Sequence, residues 1–78
     1  MVKIGSVEFT EAEALGYVGK YLVTFRRVYT IEYSVNGGVH GREVYYHQGD
    51  LPLTKRRRYF IKEAEEVNNM IGYKIFKV

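Results

Sequence analysis

Lys20-Tyr-Leu-Val-Thr-Phe-Arg-Arg-Val-Tyr-Thr-Ile-Glu-Tyr-Ser-Val35 carries apolar side chains at Tyr21, Val23, Phe25, Tyr29, Ile31, Tyr33 and Val35, and the row is broken only at Arg27. A period of two is the pattern of a β-strand with one face on a core. At about 3.3 Å per residue the run is longer than an ordinary strand of about five or six residues. It is therefore expected to act as the spine of a small sheet, pairing with one neighbour along its first half and another along its second. Asn36-Gly37-Gly38 follows directly, and Asn-Gly is favoured in two-residue type I′ hairpin turns because both central residues accept positive φ. A looser loop through Gly38 is the alternative. The return strand is expected from about Val39 to His47, weakened at its start by Gly41.

Upstream of the spine, Val2, Ile4, Val7 and Phe9 read as strand, with a turn or bulge at Gly5-Ser6. Thr10-Glu-Ala-Glu13 matches a capping box, in which the threonine hydroxyl and the glutamate three residues on satisfy each other's backbone amides. Gly16 or Gly19 ends that helix after one or two turns. Downstream, Phe60, Ala64, Val67 and Ile71 fall within a narrow arc at 3.6 residues per turn. This predicts a main helix over about 54–71, capped by Thr54 and stopped by Gly72 at its C-prime position. Tyr73-Lys-Ile-Phe-Lys-Val78 returns to strand composition. The fold class expected is α+β: an antiparallel sheet built on the 20–47 hairpin, extended by a terminal strand, with the 54–71 helix packed on one face.

This order of elements resembles the ferredoxin-like plan of the RNA-recognition domain, although Gly41-Arg-Glu-Val-Tyr-Tyr46 lacks that family's basic-Gly-aromatic pattern. Phe25-Arg-Arg-Val-Tyr29 and Glu43-Val-Tyr-Tyr-His47 resemble strands of the RelE-type messenger-cleaving toxins. That second resemblance is to a messenger-cleaving family, and the arginine, tyrosine and histidine content around residues 26 to 59 offers the phosphate clamps and acid-base groups that a small basic ribonuclease would need.

Seventy-eight residues are enough for one domain with one core. At about 0.05 to 0.15 kcal/mol per residue, total stability is on the order of 4 to 12 kcal/mol, which leaves little reserve for a deep catalytic cavity. Hydrophobic content of 46% and charged content of 27% are those of a folded globular chain. Without cysteine there is no disulfide, thiolate metal site or cysteine nucleophile. No apolar run approaches the ~18 residues of a membrane span, and Met1-Val-Lys-Ile-Gly5 lacks a signal-peptide core. The expectation is a cytoplasmic protein that does not engage a membrane.

The net charge is only +3, but residues 20 to 62 hold nine Lys or Arg against three acids. Such asymmetry creates a positive face that attracts anions. Lys55, Arg56, Arg57 and Arg58 are the densest part of it, placed at the predicted start of a helix where cations oppose the dipole unless an anion or water screens them. Arg26, Arg27 and Arg42 are the other candidates, and alternation allows only one of Arg26 and Arg27 to join a common patch. Each cation has an ordinary reading as a solvated surface charge, just as a tyrosine row at period two has one as core packing. His40 and His47, seven apart on one strand, are expected on opposite faces and cannot share a metal. No cofactor is implied. The sequence points first to a non-catalytic binder of nucleic acid or another polyanion. A protein–protein module or inhibitor, of the accessory type found in viruses and mobile elements, comes second, and the small ribonuclease third.

Overall fold

The computed structural model describes residues 1–49, the backbone of 65–70 and residues 72–77. Within these limits the protein is mostly β. Strands β1 (Val2–Ile4) and β2 (Val7–Phe9) form a hairpin around Gly5-Ser6, and α1 (Glu11–Gly16) follows. Strands β3 (Tyr21–Val23), β4 (Arg27–Ser34), β5 (Gly38–Tyr46), β6 (Glu65–Met70) and β7 (Tyr73–Lys77) make a second sheet in the order β5-β4-β3-β7-β6. Every neighbouring pair in it is antiparallel. The only helix among the described residues is α1, whose capping box forms as the sequence predicts: Thr10 Oγ1 accepts from Glu13 N–H at 3.1 Å and Glu13 Oε1 from Thr10 N–H at 2.9 Å.

The α+β expectation, with one main helix on a sheet, is overturned. Glu65–Met70 is strand β6, paired with β7 from Glu65↔Lys77 to Met70↔Tyr73 with a bulge between Glu66 and Asn68. The rest of the predicted helix, residues 54–64 and 71, lies outside the described residues. Two causes favour the strand. Asn68 and Asn69 are weak helix formers, and a helix of this length is marginal without packing. Beside them β7 offers a strand already locked into the sheet through β3. Gly72 has φ of +92°, which suits a tight turn into β7 as well as it suits a helix C-prime position.

The spine is also not one strand. It bends at Phe25-Arg26 and returns on itself, so that Val23 lies opposite Val28, Leu22 opposite Tyr29 and Tyr21 opposite Thr30. Neither bend residue takes positive φ, and neither is a turn former. The bend is closed locally by Thr24 N–H donating to Arg27 O at 2.9 Å and is held from elsewhere by two bonds: His47 N–H donates to Arg26 O at 2.6 Å, and the Arg26 guanidinium donates to Gly49 O at 2.6 Å. At the far end of β4, the Asn36-Gly37 turn is not type I′. Residues 35–37 connect Ser34 to its partner Gly38, Gly38 takes the left-handed φ of +64°, and Ser34 Oγ accepts from Gly37 N–H at 2.9 Å.

The terminal strand β7 enters the middle of the sheet, between β3 and β6. Strand β3 is thereby buried on both faces, with Leu22 and Val23 fully covered. On the inner face, Leu22, Tyr29, Ile31 and Ile75 pack against Ile4, Phe9 and Ala14 from the hairpin and α1. Phe9 meets Tyr17 and Tyr73 edge-on at 5.7 and 5.5 Å, the arrangement the ring quadrupole favours. On the opposite face Val23, Val28 and Phe76 form a second buried cluster bordered by Tyr21 and Tyr45.

Gly41 has a packing role. A Cβ there would overlap the Ile4 side chain, so the absent side chain is what lets β1 lie across β5. Gly41→Val should therefore cost about 1–3 kcal/mol through overpacking, although valine is a good strand former. In a thermal melt this corresponds to several degrees, whereas Gly16→Ala, where a Cβ meets nothing within 4 Å, should leave Tm unchanged or slightly raised. At the turn, Gly38→Ala should lose about 1–2 kcal/mol because its Cβ resists the left-handed backbone. Gly38→Asn should recover part of that loss in the same melts.

Candidate functional site

The bend between β3 and β4 projects side chains that a straight strand would have kept apart. Alternation along an unbroken spine would send Arg26 and Arg27 to opposite faces, yet both line one cleft of about 630 Å³. Phe25, Tyr29 and Tyr46 line it as well, and Lys3 reaches it from β1. Arg26 lies 5.0 Å over the Phe25 ring and Arg27 4.9 Å over the Tyr46 ring. Such stacking leaves the edge donors of a guanidinium available to an anion.

A bulge builds the surroundings of Arg27. The β4–β5 register shifts between Val28 and Tyr29, so that Tyr29 faces Glu43 while Val28 faces Tyr45 and Arg27 faces Tyr46. In an unbroken ladder Tyr45 would face Arg27, and Tyr46 would point away. With Val44 as the extra residue, Glu43 and Tyr46 both reach the side of the sheet that Arg27 shares with Tyr29. Glu43 Oε1 sits 3.5 Å from the Arg27 guanidinium. The hydrogen bond to Tyr29 first, and the Glu43 carboxylate second, raise the Arg27 pKa above its ordinary value, so this cation is permanent.

Of the residues singled out from the sequence, Arg26 and Arg27 come together here. Arg42 does not. It pairs with Thr30 on the opposite face of the sheet, and its Nε donates to Glu32 Oε2 at 3.0 Å. Lys55, Arg56, Arg57 and Arg58 lie outside the described residues. Lys3 was missed, because nothing in its local sequence separates it from any other lysine on a short strand. Only the packing of the β1–β2 hairpin beside the bend brings it to the cleft.

The histidine expectation also changes. The bulge at Val44 restores the parity that a seven-residue spacing breaks, so His40, paired with Glu32, falls on the same side of the sheet as Tyr45, with which His47 stacks. His47 is buried, while His40 is partly exposed with its Nε2 3.8 Å from Glu32. Neither is among the described residues of the cleft, and among the described residues no group of three His, Cys, Asp or Glu is placed to hold a metal.

Glu32 accepts from Thr30 Oγ1 at 2.8 Å as well as from Arg42, and these two bonds, in that order, hold its pKa below the ordinary value of 4.5. The unfolded chain consequently takes up this proton before the folded one as pH falls. Its stabilisation should be complete above pH 4.5 and lost as pH falls through the lower folded value. Denaturant titrations at a series of pH values should show this acid-side loss in the native protein and a shallower one in Glu32→Gln. Compared with known proteins, the chain matches no family model, no curated protein and no solved structure.

Proposed function

We propose that the protein is a non-catalytic binding domain that takes nucleic acid or a similar polyanion into the cleft at the β3–β4 bend. The observation that carries this reading is the convergence of Lys3, Arg26 and Arg27 with Phe25, Tyr29 and Tyr46 around one open space. Guanidinium forks and an ammonium supply the donors that phosphate oxygens accept, and the chain's positive charge assists encounter. The glutamate beside Arg27 moderates the local field without removing it, since three cations line the cleft and Glu43 offsets one. Lys55–Arg58 add to the overall attraction, while Arg42, neutralised by Glu32, is not part of the site.

A protein-binding role has its own support in a second place, which shares only Lys3 with the cleft. Met1, Leu15 and Tyr33, each more than half exposed, line a second hollow of about 450 Å³ with Val2 and Val39. Apolar side chains of this size in water are the raw material of a protein contact.

The two readings separate in one titration. Single- and double-stranded oligonucleotides added to the full chain at about 50 mM salt should bind, and raising the salt to about 200 mM should weaken binding steeply because phosphate contacts release counterions. Replacing Lys3 and Arg27 with Gln should flatten the slope of log K against log salt by about 0.7 to 0.9 per lost contact. Leu15→Ser with Tyr33→Ser should leave it unchanged. Labelled RNA should remain intact throughout. Its consumption would mean a ribonuclease, and absence of binding at the lower salt would favour the protein-contact reading.

A further inference from the structure

Resting on the cleft as a polyanion site, we infer that its ligand is unpaired nucleic acid, with Phe25 and Tyr46 as stacking platforms for successive bases. The two rings are 55% and 44% exposed, although Leu22, Val23 and Phe76 nearby are buried, and Tyr33, the other open ring among the described residues, lies outside the cleft. Both belong to the corner where the cations gather: Phe25 at the bend itself, Tyr46 directly across the ladder from Arg27. Each ring carries a guanidinium over one face at about 5 Å, so a base stacks on the ring's remaining exposed surface or on the guanidinium plane itself, with the cation's edge donors turned to phosphate.

That pairing of chemistries distinguishes unpaired strands from every other polyanion. A duplex hides the faces of its bases in its own stack and presents phosphates and groove edges, so that exposed rings reach a π-face only by unstacking a base step at a cost of a few kcal/mol. A sulfated sugar or polyphosphate has no flat π-face at all. An unpaired strand presents both, and stacking on aromatic side chains beside arginines is tolerant of sequence because every base has a π-face.

The central comparison is between an unstructured strand and an abasic strand of the same length, which carry equal charge and differ only in their bases, with a duplex and a polyphosphate as the other classes of polyanion. Labelled strands on the order of ten nucleotides, a length within the usual span of single-strand sites, would be titrated into the full chain by fluorescence anisotropy at about 50 mM salt. The set comprises unstructured RNA, unstructured DNA, the matching duplex, an abasic strand of the same length, and inorganic polyphosphate. The unstructured strands should bind roughly ten-fold or more tighter than the abasic strand, the duplex and the polyphosphate. Phe25→Leu and Tyr46→Leu should each remove much of that preference, lowering affinity for the unstructured strands by more than affinity for the abasic strand, while leaving the thermal melt nearly unchanged. Equal affinity for RNA and DNA would assign stacking alone, whereas tighter RNA binding would add a contact to the 2′-hydroxyl; both agree with the inference. If the abasic strand or the duplex bound as tightly as the unpaired strands, or if the ring variants kept the full preference, the inference would fail and the cleft would stand as a general polyanion site. If none of the ligands bound, that broader reading would fall with it.

Discussion

The fold-back at Phe25-Arg26 is the constraint on which the remaining structure depends. It converts one long apolar run into two adjacent strands and leaves β3 free to accept β7 on its other edge. Only then do Leu22 and Val23, neighbours in sequence that point to opposite faces, both become fully buried. Burying an aliphatic side chain of this size is worth about 1.5–3 kcal/mol. A pair of them on one strand of three residues is a large share of what a small domain can gather. The bend residues themselves supply no turn preference. The 47–49 segment supplies it instead, bonding from both sides to the backbone and side chain of Arg26.

This explains which parts of the fold could be read from the sequence. The capping box at Thr10 and the turn at Gly5-Ser6 are complete within a few residues, so their chemistry is written where they occur. The bend is different, since beyond the local Thr24–Arg27 bond its partners, His47 and Gly49, lie more than twenty residues from Arg26. Period-two apolar spacing carries no mark of a fold-back, and here the bend shifts the parity, so that Val23 shares a face with Val28 while Leu22 shares the other with Tyr29 and Ile31. Strand β6 failed for a related reason. Phe60, Ala64, Val67 and Ile71 satisfy a helical period, yet Gly72 at positive φ serves a turn and a helix end equally, and the decision between them is made by pairing with β7. The Asn36-Gly37 signal located the hairpin but placed the left-handed residue one position early.

Two of the cleft's cations, Arg26 and Arg27, were legible in the sequence; the third, Lys3, and the shape of the cleft were not. Arg26-Arg27 stands out in any reading of charge, whereas the partners of those arginines depend on two irregularities, the bend and the bulge at Val44. Arg42 looked equivalent in sequence. Its pairing with Glu32 across the ladder is a register property, and a one-residue slip would have sent it to the other face.

The bulge also resolves an apparent conflict at Arg27. On the proposed reading Arg27 meets an external anion and gains nothing from a carboxylate 3.5 Å away, yet both Glu43 and Tyr46 are delivered to it by the same extra residue. The ion pair is exposed on both sides, and pairs of that kind contribute little net stability because water and salt screen them. A phosphate arriving at Arg27 therefore has only a weak competitor to displace, and displacement leaves Glu43 in solvent with no buried charge stranded. In the meantime Glu43, together with the hydroxyl of Tyr29 and the ring of Tyr46, fixes where the guanidinium points. Orienting a long flexible cation before its ligand arrives lowers the entropy lost on binding. A weak partner that orients without holding tightly is better suited to such a site than either a free arginine or a buried ion pair.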